Sequence, residues 1–405
     1  MTHHNDYDPM GRLARQRVYK THQRHHDVIN RSYRYNTQDQ VISQQDQHRG
    51  SRHYQYSLRD QLIGITQQRP SQPPEQAAHY TFDPAGQLID LVEAAPRTHS
   101  GLDIQPKSTQ WSAMPDKARQ AHQTEQSQTP HAETSPVSQG RLLRQSDKHY
   151  QFDASGNRTD QWRGKGQCIH THYRYNATNT LQEVVETTDQ LETRATFTYD
   201  ALGRRISKEV RQTQRPSGRL KAHYRHGFLW QGDVLLQEKR TRLWAEENDF
   251  SAFEDSQRFD NTHKPQPSVE LYRTLYLHEP NSFRPLLQLH QPAMKAEKVL
   301  YYHLDRVGTP LELTNRYGDV VWQAHYRGFC RAKVVNEPEV HNPIRFQGQY
   351  ADEELGLHYN RFRYYDPASG QFTQQDPIGL AAVPRICMNT PATRWAGLIR
   401  WGSMK

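Results

Sequence analysis

Tyr199-Asp200-Ala201-Leu202-Gly203-Arg204-Arg205-Ile206 decides the fold, because the same unit returns along the chain. An aromatic pair one residue apart, then Asp or Asn, then Gly three residues on, then an aliphatic is the pattern. It recurs as Tyr80-Thr81-Phe82-Asp83-Pro84-Ala85-Gly86-Gln87-Leu88, and in part as Tyr150-Gln151-Phe152-Asp153-Ala154-Ser155-Gly156. Aromatics at i and i+2 project from one face of an extended strand. A type I turn prefers Asp first, Pro second and Gly fourth, and Asp83-Pro84-Ala85-Gly86 and Asp8-Pro9-Met10-Gly11 carry all three. The unit predicts a β-hairpin, and its recurrence predicts an array of them.

Degenerate copies obey the same backbone rule. Tyr33-Arg34-Tyr35-Asn36-Thr37-Gln38-Asp39, Tyr54-Gln55-Tyr56-Ser57-Leu58-Arg59-Asp60 and Tyr173-Arg174-Tyr175-Asn176-Ala177-Thr178-Asn179 lack the Gly. Asp or Asn replaces it, the residues that best tolerate a left-handed conformation after Gly.

Composition bounds what such an array can bury. Only 34% of the 405 residues are hydrophobic, and the mean hydropathy is -1.03. Two readings are open: a largely disordered chain, or a thin sheet with solvent on both faces that uses aromatics in place of an aliphatic core. The 22 Tyr favour the sheet, since a Tyr ring packs while its hydroxyl meets a polar partner. Net charge is +8, but Lys and Arg are scattered through the repeats and read as a solvated face rather than a nucleic-acid site. Cys168, Cys330 and Cys387 give no disulfide framework, and their scarcity points to synthesis in a reducing compartment. Met1-Thr2-His3-His4-Asn5-Asp6 has no apolar signal-peptide core, and no apolar run reaches membrane-spanning length. The expectation is a chain made in the cytosol that leaves by a signal-independent route.

The C-terminal half carries a more specific pattern. It reads Tyr301-Tyr302-His303-Leu304-Asp305-Arg306-Val307-Gly308-Thr309-Pro310-Leu311-Glu312-Leu313-Thr314, then Ile344-Arg345-Phe346-Gln347-Gly348-Gln349-Tyr350. Gly356-Leu357-His358-Tyr359-Asn360-Arg361-Phe362-Arg363-Tyr364-Tyr365-Asp366-Pro367 and Asp376-Pro377-Ile378-Gly379-Leu380 follow. With the upstream units this resembles the YD repeats and repeat-associated core of Rhs proteins. The resemblance implies an all-β fold, a curling antiparallel sheet of YD hairpins forming part of a hollow shell around a C-terminal toxin. It implies as partners the rest of the shell, a toxin with its immunity protein, and in intact relatives a secretion machine, often type VI. It implies no cofactor.

On this reading the chain divides into YD repeats over 1–90, opening inside a unit as if the array were cut, and a disordered insertion over 91–140. Repeats resume over 141–240, where Phe228-Leu229-Trp230-Gln231-Gly232-Asp233-Val234-Leu235-Leu236-Gln237 reads as strand-turn-strand. A polar acidic insertion over 241–268, the Rhs-type core over 269–380 and a short divergent tail over 381–405 complete it. Rhs cores continue with a Gly-Gly-x-Asn-x-Tyr stretch and a second Asp-Pro-x-Gly-Leu; Ala381-Ala382-Val383-Pro384-Arg385-Ile386-Cys387 has neither, and no toxin domain is expected in so short a tail.

In relatives, acidic core residues form an aspartic-protease-like site that clips the toxin, and by resemblance Asp376 is the candidate catalytic residue here. Asp366-Pro367 and Asp376-Pro377 equally fit the plain turn preference. Cys168, His170 and His172 alternate on one strand face, with Tyr173 and Tyr175 on the other, but zinc wants four ligands and no fourth stands nearby, so no metal is expected. His22, His25 and His26 give still less geometry, and Trp230, Trp322, Trp395 and Trp401 read as packing or tail residues. The leading expectation is a non-enzymatic piece of shell without toxin activity. Its rivals are a carbohydrate- or polyanion-binding module presenting Tyr173 and Tyr175, and a residual autoprotease.

Overall fold

The turns come out as the sequence asks. In the computed structural model Asp200 Oδ1 accepts from the backbone N–H of Leu202 at 3.0 Å and Arg204 at 2.8 Å. Asp8 does the same for Met10 and Arg12, Asp305 for Val307 and Thr309, Asn36 for Gln38 and Gln40, and Asn176 for Thr178 and Thr180. The fourth residue of each turn is left-handed: φ is 74° at Gly203 and 87° at Gly308, and 62°, 62° and 58° at Asp39, Asp60 and Asn179. A register shift then closes the hairpin, as between Thr198 and Tyr199, which is a type I turn with a bulge. The second aromatic ties one hairpin to the one before. Tyr35, Tyr56 and Tyr199 donate through their hydroxyls to the carbonyls of Leu13, Val41 and Leu181 at 2.7, 2.9 and 2.6 Å.

The structure describes residues 1–21, 27–70, 73–83, 88–93, 137–138, 141–244, 269–327, 329, 331–336 and 340–377. Most of 91–140 and of the second insertion, all of 381–405, His22, His25, His26, Cys330, Cys387, Trp395, Trp401, the Pro84–Gly86 turn and Ile378–Leu380 lie outside them. Among the described residues there is no α-helix, and none long and apolar enough to cross a membrane.

Hairpins in succession build one antiparallel meander after another. The first is eight-stranded: β1 (Thr2–Tyr7), β2 (Leu13–Tyr19), β3 (Asp27–Tyr35), β4 (Val41–Asp46), β5 (Gly50–Tyr56), β6 (Leu62–Gln68), β7 (Glu75–Phe82) and β8 (Leu88–Glu93). A small pair follows, β9 (Val137–Ser138) with β10 (Arg141–Leu142). The main wall has fifteen strands and begins with β11 (Arg144–Gln145), which lies beside β8, β12 (Lys148–Phe152), β13 (Arg158–Arg163), β14 (Ile169–Tyr175) and β15 (Leu181–Thr187). It continues through β16 (Leu191–Tyr199), β17 (Arg205–Gln214), β18 (Leu220–Gln231), β19 (Val234–Trp244) and β20 (Val269–His278). Its last strands are β21 (Pro285–Pro292), β22 (Lys298–Leu304), β23 (Pro310–Thr314), β24 (Val320–Arg327) and β25 (Arg331–Asn336). A separate four-stranded module closes the chain: β26 (Tyr350–Asp352), β27 (Leu357–Asn360), β28 (Arg363–Asp366) and β29 (Gln371–Phe372).

The wall curls around this module. Tyr173, Leu181, Val184, Phe197, Val210, Tyr224 and Phe228 from its inner face share one core with Tyr350, Leu357, Tyr359 and Tyr364. Leu62, Ile65, Ala78, Tyr80 and Leu88 of the first sheet pack on Phe329 and Tyr365. The ends of the chain's strand series also overlap. Leu300, Tyr302 and Leu313 face the core, whereas His303, Glu312 and Thr314 face outward and are sealed by the first sheet. There the His3 ring stacks 5.0 Å from His303, and Arg31 holds Glu312 through two bonds of 2.9 and 3.1 Å.

The sheet is therefore not wetted on both faces as its composition suggested. The module covers the inner face, and the first sheet covers the outer face at β22–β24. Low hydropathy is reconciled with burial because the interior is built partly from charge: Arg31, Arg158, Arg205 and Lys208 are among the largest fully buried side chains.

Candidate functional site

Every buried cation on the inner face of the main wall points at the module. Arg205 opens β17 directly after the Gly203-Arg204 turn, so its side chain turns inward while Arg204 stays with Asp200 outside. Its guanidinium sits in a cage of rings, 4.4 Å from the centroid of Tyr359, 4.7 Å from Phe228 and 5.1 Å from Tyr350. At the end of this cage it pairs with Asp352. Lys208 Nζ bridges Asp352 Oδ1 and Glu354 Oε2, both at 2.9 Å. A buried charge left alone is expensive, and here each has a partner and flanking rings.

Next to it lies an acceptor hub. The fully buried Glu238 carboxylate accepts hydrogen bonds from the hydroxyls of Tyr272 at 2.8 Å, Tyr276 at 3.0 Å and Tyr350 at 2.9 Å. His226 Nδ1 donates to the same carboxylate at 2.9 Å, and His341 Nε2 stands at 3.4 Å. Burial works to raise this carboxyl, but the neighbouring His341 and the hydrogen bond from His226 bring it well below the usual carboxylate range. Burial, aided by Lys208, pushes His226 down to about 4, so its imidazole is neutral at pH 7. The Tyr hydroxyls around the hub are raised, chiefly by burial.

A third clamp joins Arg158 to Asp366 at 2.8 Å, with Ser369 Oγ donating to the same carboxylate oxygen at 2.8 Å. Burial opposes ionisation, yet Arg158 and Lys148 hold Asp366 down to about 2. Between this clamp and the wall a cavity of about 870 Å³ remains, lined by Lys148, Tyr173, Trp322, Arg345 and Asp366 among others.

Asp376 follows β29, a third exposed (34%), with Oδ2 paired to Arg363 Nη2 at 3.0 Å. The partner shown for this candidate carboxylate is a guanidinium. His170 and His172 do share a face, and both engage Asp160 Oδ1 at 2.9 Å, while Cys168 is exposed ahead of their strand. Tyr173 is 3% exposed and faces the core, so it presents no ring to a carbohydrate outside; Tyr175 is largely covered and points toward Thr373. Trp322 is buried in the core, and Trp230 donates to the carbonyl of Arg205 at 2.8 Å. Sequence reasoning missed the residues of the seam itself. The signals available were the doubled Arg204-Arg205 after a turn Gly and the acidic run Asp352-Glu353-Glu354.

Comparison with known proteins agrees with this construction. A family profile described as RHS protein matches residues 299–335, the stretch from β22 to β25. The chain is 29% identical to "Double-stranded DNA deaminase toxin A" of Burkholderia cenocepacia over 94% of its length and 23% of the relative's. It is 28% identical to "Toxin protein Tse5" of Pseudomonas aeruginosa over 98% of its length and 29% of the relative's. It thus spans about a quarter of these two relatives. The fold is shared with a solved Tc holotoxin pore from Photorhabdus luminescens, at a TM-score of 0.60 and 16% identity, over 93% of this chain and 17% of that one. The YD turns and these relatives agree: residues 299–335 match the RHS protein profile, and the chain is similar to the two named toxins over nearly all of its length.

Proposed function

We propose that this chain is a structural segment of an Rhs-type shell, a curled wall with an inner module fastened to it, and that it has no toxin activity of its own. The observation that carries this reading is the direction of the clamps. Arg158, Arg205, Lys208 and Glu238 all engage the module from the concave side, where a shell needs rigidity. Exposed ion pairs such as Arg174–Glu183 and Arg225–Glu209 cover the other face of the wall's middle strands.

The test uses the activities named for relatives. Purified chain incubated with double-stranded DNA is expected to leave it uncut and without base conversion on sequencing; cleavage or deamination would overturn the reading. Self-clipping is tested alongside. The chain is expected to keep an intact mass of 47.5 kDa, and Asp376→Asn is expected to have the same mass. Fragments that disappear in Asp376→Asn would instead assign Asp376 a catalytic role.

A further inference from the structure

The first sheet and the last strands of the main wall leave a cavity of about 200 Å³ between them. It runs along β5, where Gly50, Arg52 and Tyr54 alternate and so share the face that lines it. Across from them stand the turn from Asp305 to Thr309, Leu311 on β23 and Tyr326 on β24. Its walls are largely aromatic: Tyr33, Tyr54, Tyr56, Phe329, Phe346 and Tyr365 all border it. The space is smaller than a drug-sized pocket and suits a single ring.

Most polar groups around this cavity are already spent. Asp46 accepts from Arg31 Nε at 2.9 Å, and Asp305 Oδ1 accepts from the backbone N–H groups of Val307 and Thr309. Arg49 donates through Nη1 to the Ala324 carbonyl at 2.8 Å and through Nη2 to the Leu311 carbonyl at 3.0 Å, while Arg52 Nη1 reaches the Tyr326 carbonyl at 3.1 Å. Tyr54 and Tyr56 donate to Gln44 and to the Val41 carbonyl. The groups left over are donors. Tyr33 is 7% exposed and its hydroxyl makes no hydrogen bond, nor does the buried Arg49 Nε. Arg306, half-buried in the turn at one end, lays its guanidinium over the Tyr35 ring at 5.3 Å and has no carboxylate partner among the described residues. Buried donors without acceptors are costly, so the lining favours an occupant that brings acceptors.

We propose that this cavity is a binding site for a small aromatic carboxylate, a single ring of the benzoate class. Its ring packs in edge-to-face or offset contact with the surrounding Tyr and Phe rings, and its carboxylate accepts from the Arg306 guanidinium. An aromatic ammonium fits poorly, because Arg49, Arg52 and Arg306 border the space and the Asp46 and Asp305 carboxylates are committed elsewhere. A neutral ring leaves Arg306 unanswered. The bound acid touches β3–β6 on one side and the β22–β24 region on the other, so it stabilises the contact between the first sheet and the wall. The site is independent of the shell reading.

The probe is 4-fluorobenzoate, followed by fluorine NMR with the full chain. Saturable line broadening and a melting temperature that rises with probe concentration are expected. The uncharged isostere 4-fluorobenzamide should bind at least about tenfold more weakly, and Arg306→Gln should remove that preference. Val41→Phe, which places a ring in the cavity, should abolish binding of both compounds; circular dichroism checks its fold. Tyr33→Phe, which deletes only a hydroxyl, serves as the milder second variant and should weaken 4-fluorobenzoate about threefold or more. No saturable binding, or binding that a folded Val41→Phe protein retains, would overturn the site. Equal affinity for acid and amide, or a preference that survives Arg306→Gln, would overturn the ligand class. None of these outcomes bears on the DNA and mass tests of the shell reading.

Discussion

Arg205 and Asp352, separated by 147 positions in the chain, form a fully buried ion pair that fastens β26 to β17. Their pairing makes the module part of the wall's interior rather than an appended domain. Removing Arg205 strips one of two cations from the sealed Asp352 carboxylate, which costs about 3 kcal/mol, the low end for a broken buried pair because Lys208 remains. Arg205→Met should lose that much in urea denaturation, because Asp352 then keeps only Lys208. A loss below about 1 kcal/mol would mean that the pair is solvated and the seam open.

Tyr173→Ala should act on stability. The ring is 3% exposed in the core, so truncation should cost about 3–5 kcal/mol. His172→Ala, its exposed neighbour on the opposite face, should stay within about 0.5 kcal/mol. Equal effects in chemical denaturation would contradict the assigned faces of β14.

Left-handed turn positions give a graded test. Gly218→Ala adds a Cβ in open space at φ 71°, so strain alone should cost about 1 kcal/mol. Gly308→Ala, at φ 87°, also brings the Cβ to 3.0 Å from Gln347 and should cost more. Thermal melts of both variants check the order, and a Gly308→Ala protein as stable as Gly218→Ala would refute the contact.

Acid should weaken the protein well before its carboxylates titrate. Burial pushes His226, His278 and His325 down to about 4 and His358 down to about 3. Each then binds fewer protons folded than unfolded, so its contribution is complete above about pH 6.5 and drains as pH falls toward the folded value. For sealed His226 the loss is about 1.4 kcal/mol per pH unit in that window. Glu238 and Asp366, held low, add losses of the same sign below about pH 4. The melting temperature should decline steadily from pH 7 to pH 5, and less steeply in His226→Phe. A flat profile over that range would show the imidazoles to be solvated.

How much of this was legible depends on the range of the interaction. Turn geometry is local, so Asp, Gly and their substitutes Asp39, Asp60 and Asn179 foretold the hairpins, and the meander followed. The C-terminal motifs pointed to the family for the same reason. The seam was illegible because its partners lie far apart: nothing near Glu238 announces Tyr272, Tyr276, Tyr350 and His341 together. Composition misled on the wetted faces, since hydropathy counts Arg205 and Lys208 as surface residues when ion pairing has put them inside. The faces of His172 and Tyr173 were readable from alternation, but which face was inner required the module.

The central claim is that module and wall form one interior, and hydrogen exchange by mass spectrometry at pH 7.5 tests it most directly. The account predicts that amides of β26–β28 are protected to the same degree as those of β16–β18 and exchange with them in one cooperative step. Rapid exchange of residues 350–366 over a wall that stays protected would contradict it, because a module clamped through Arg158, Arg205, Lys208 and Glu238 cannot open alone.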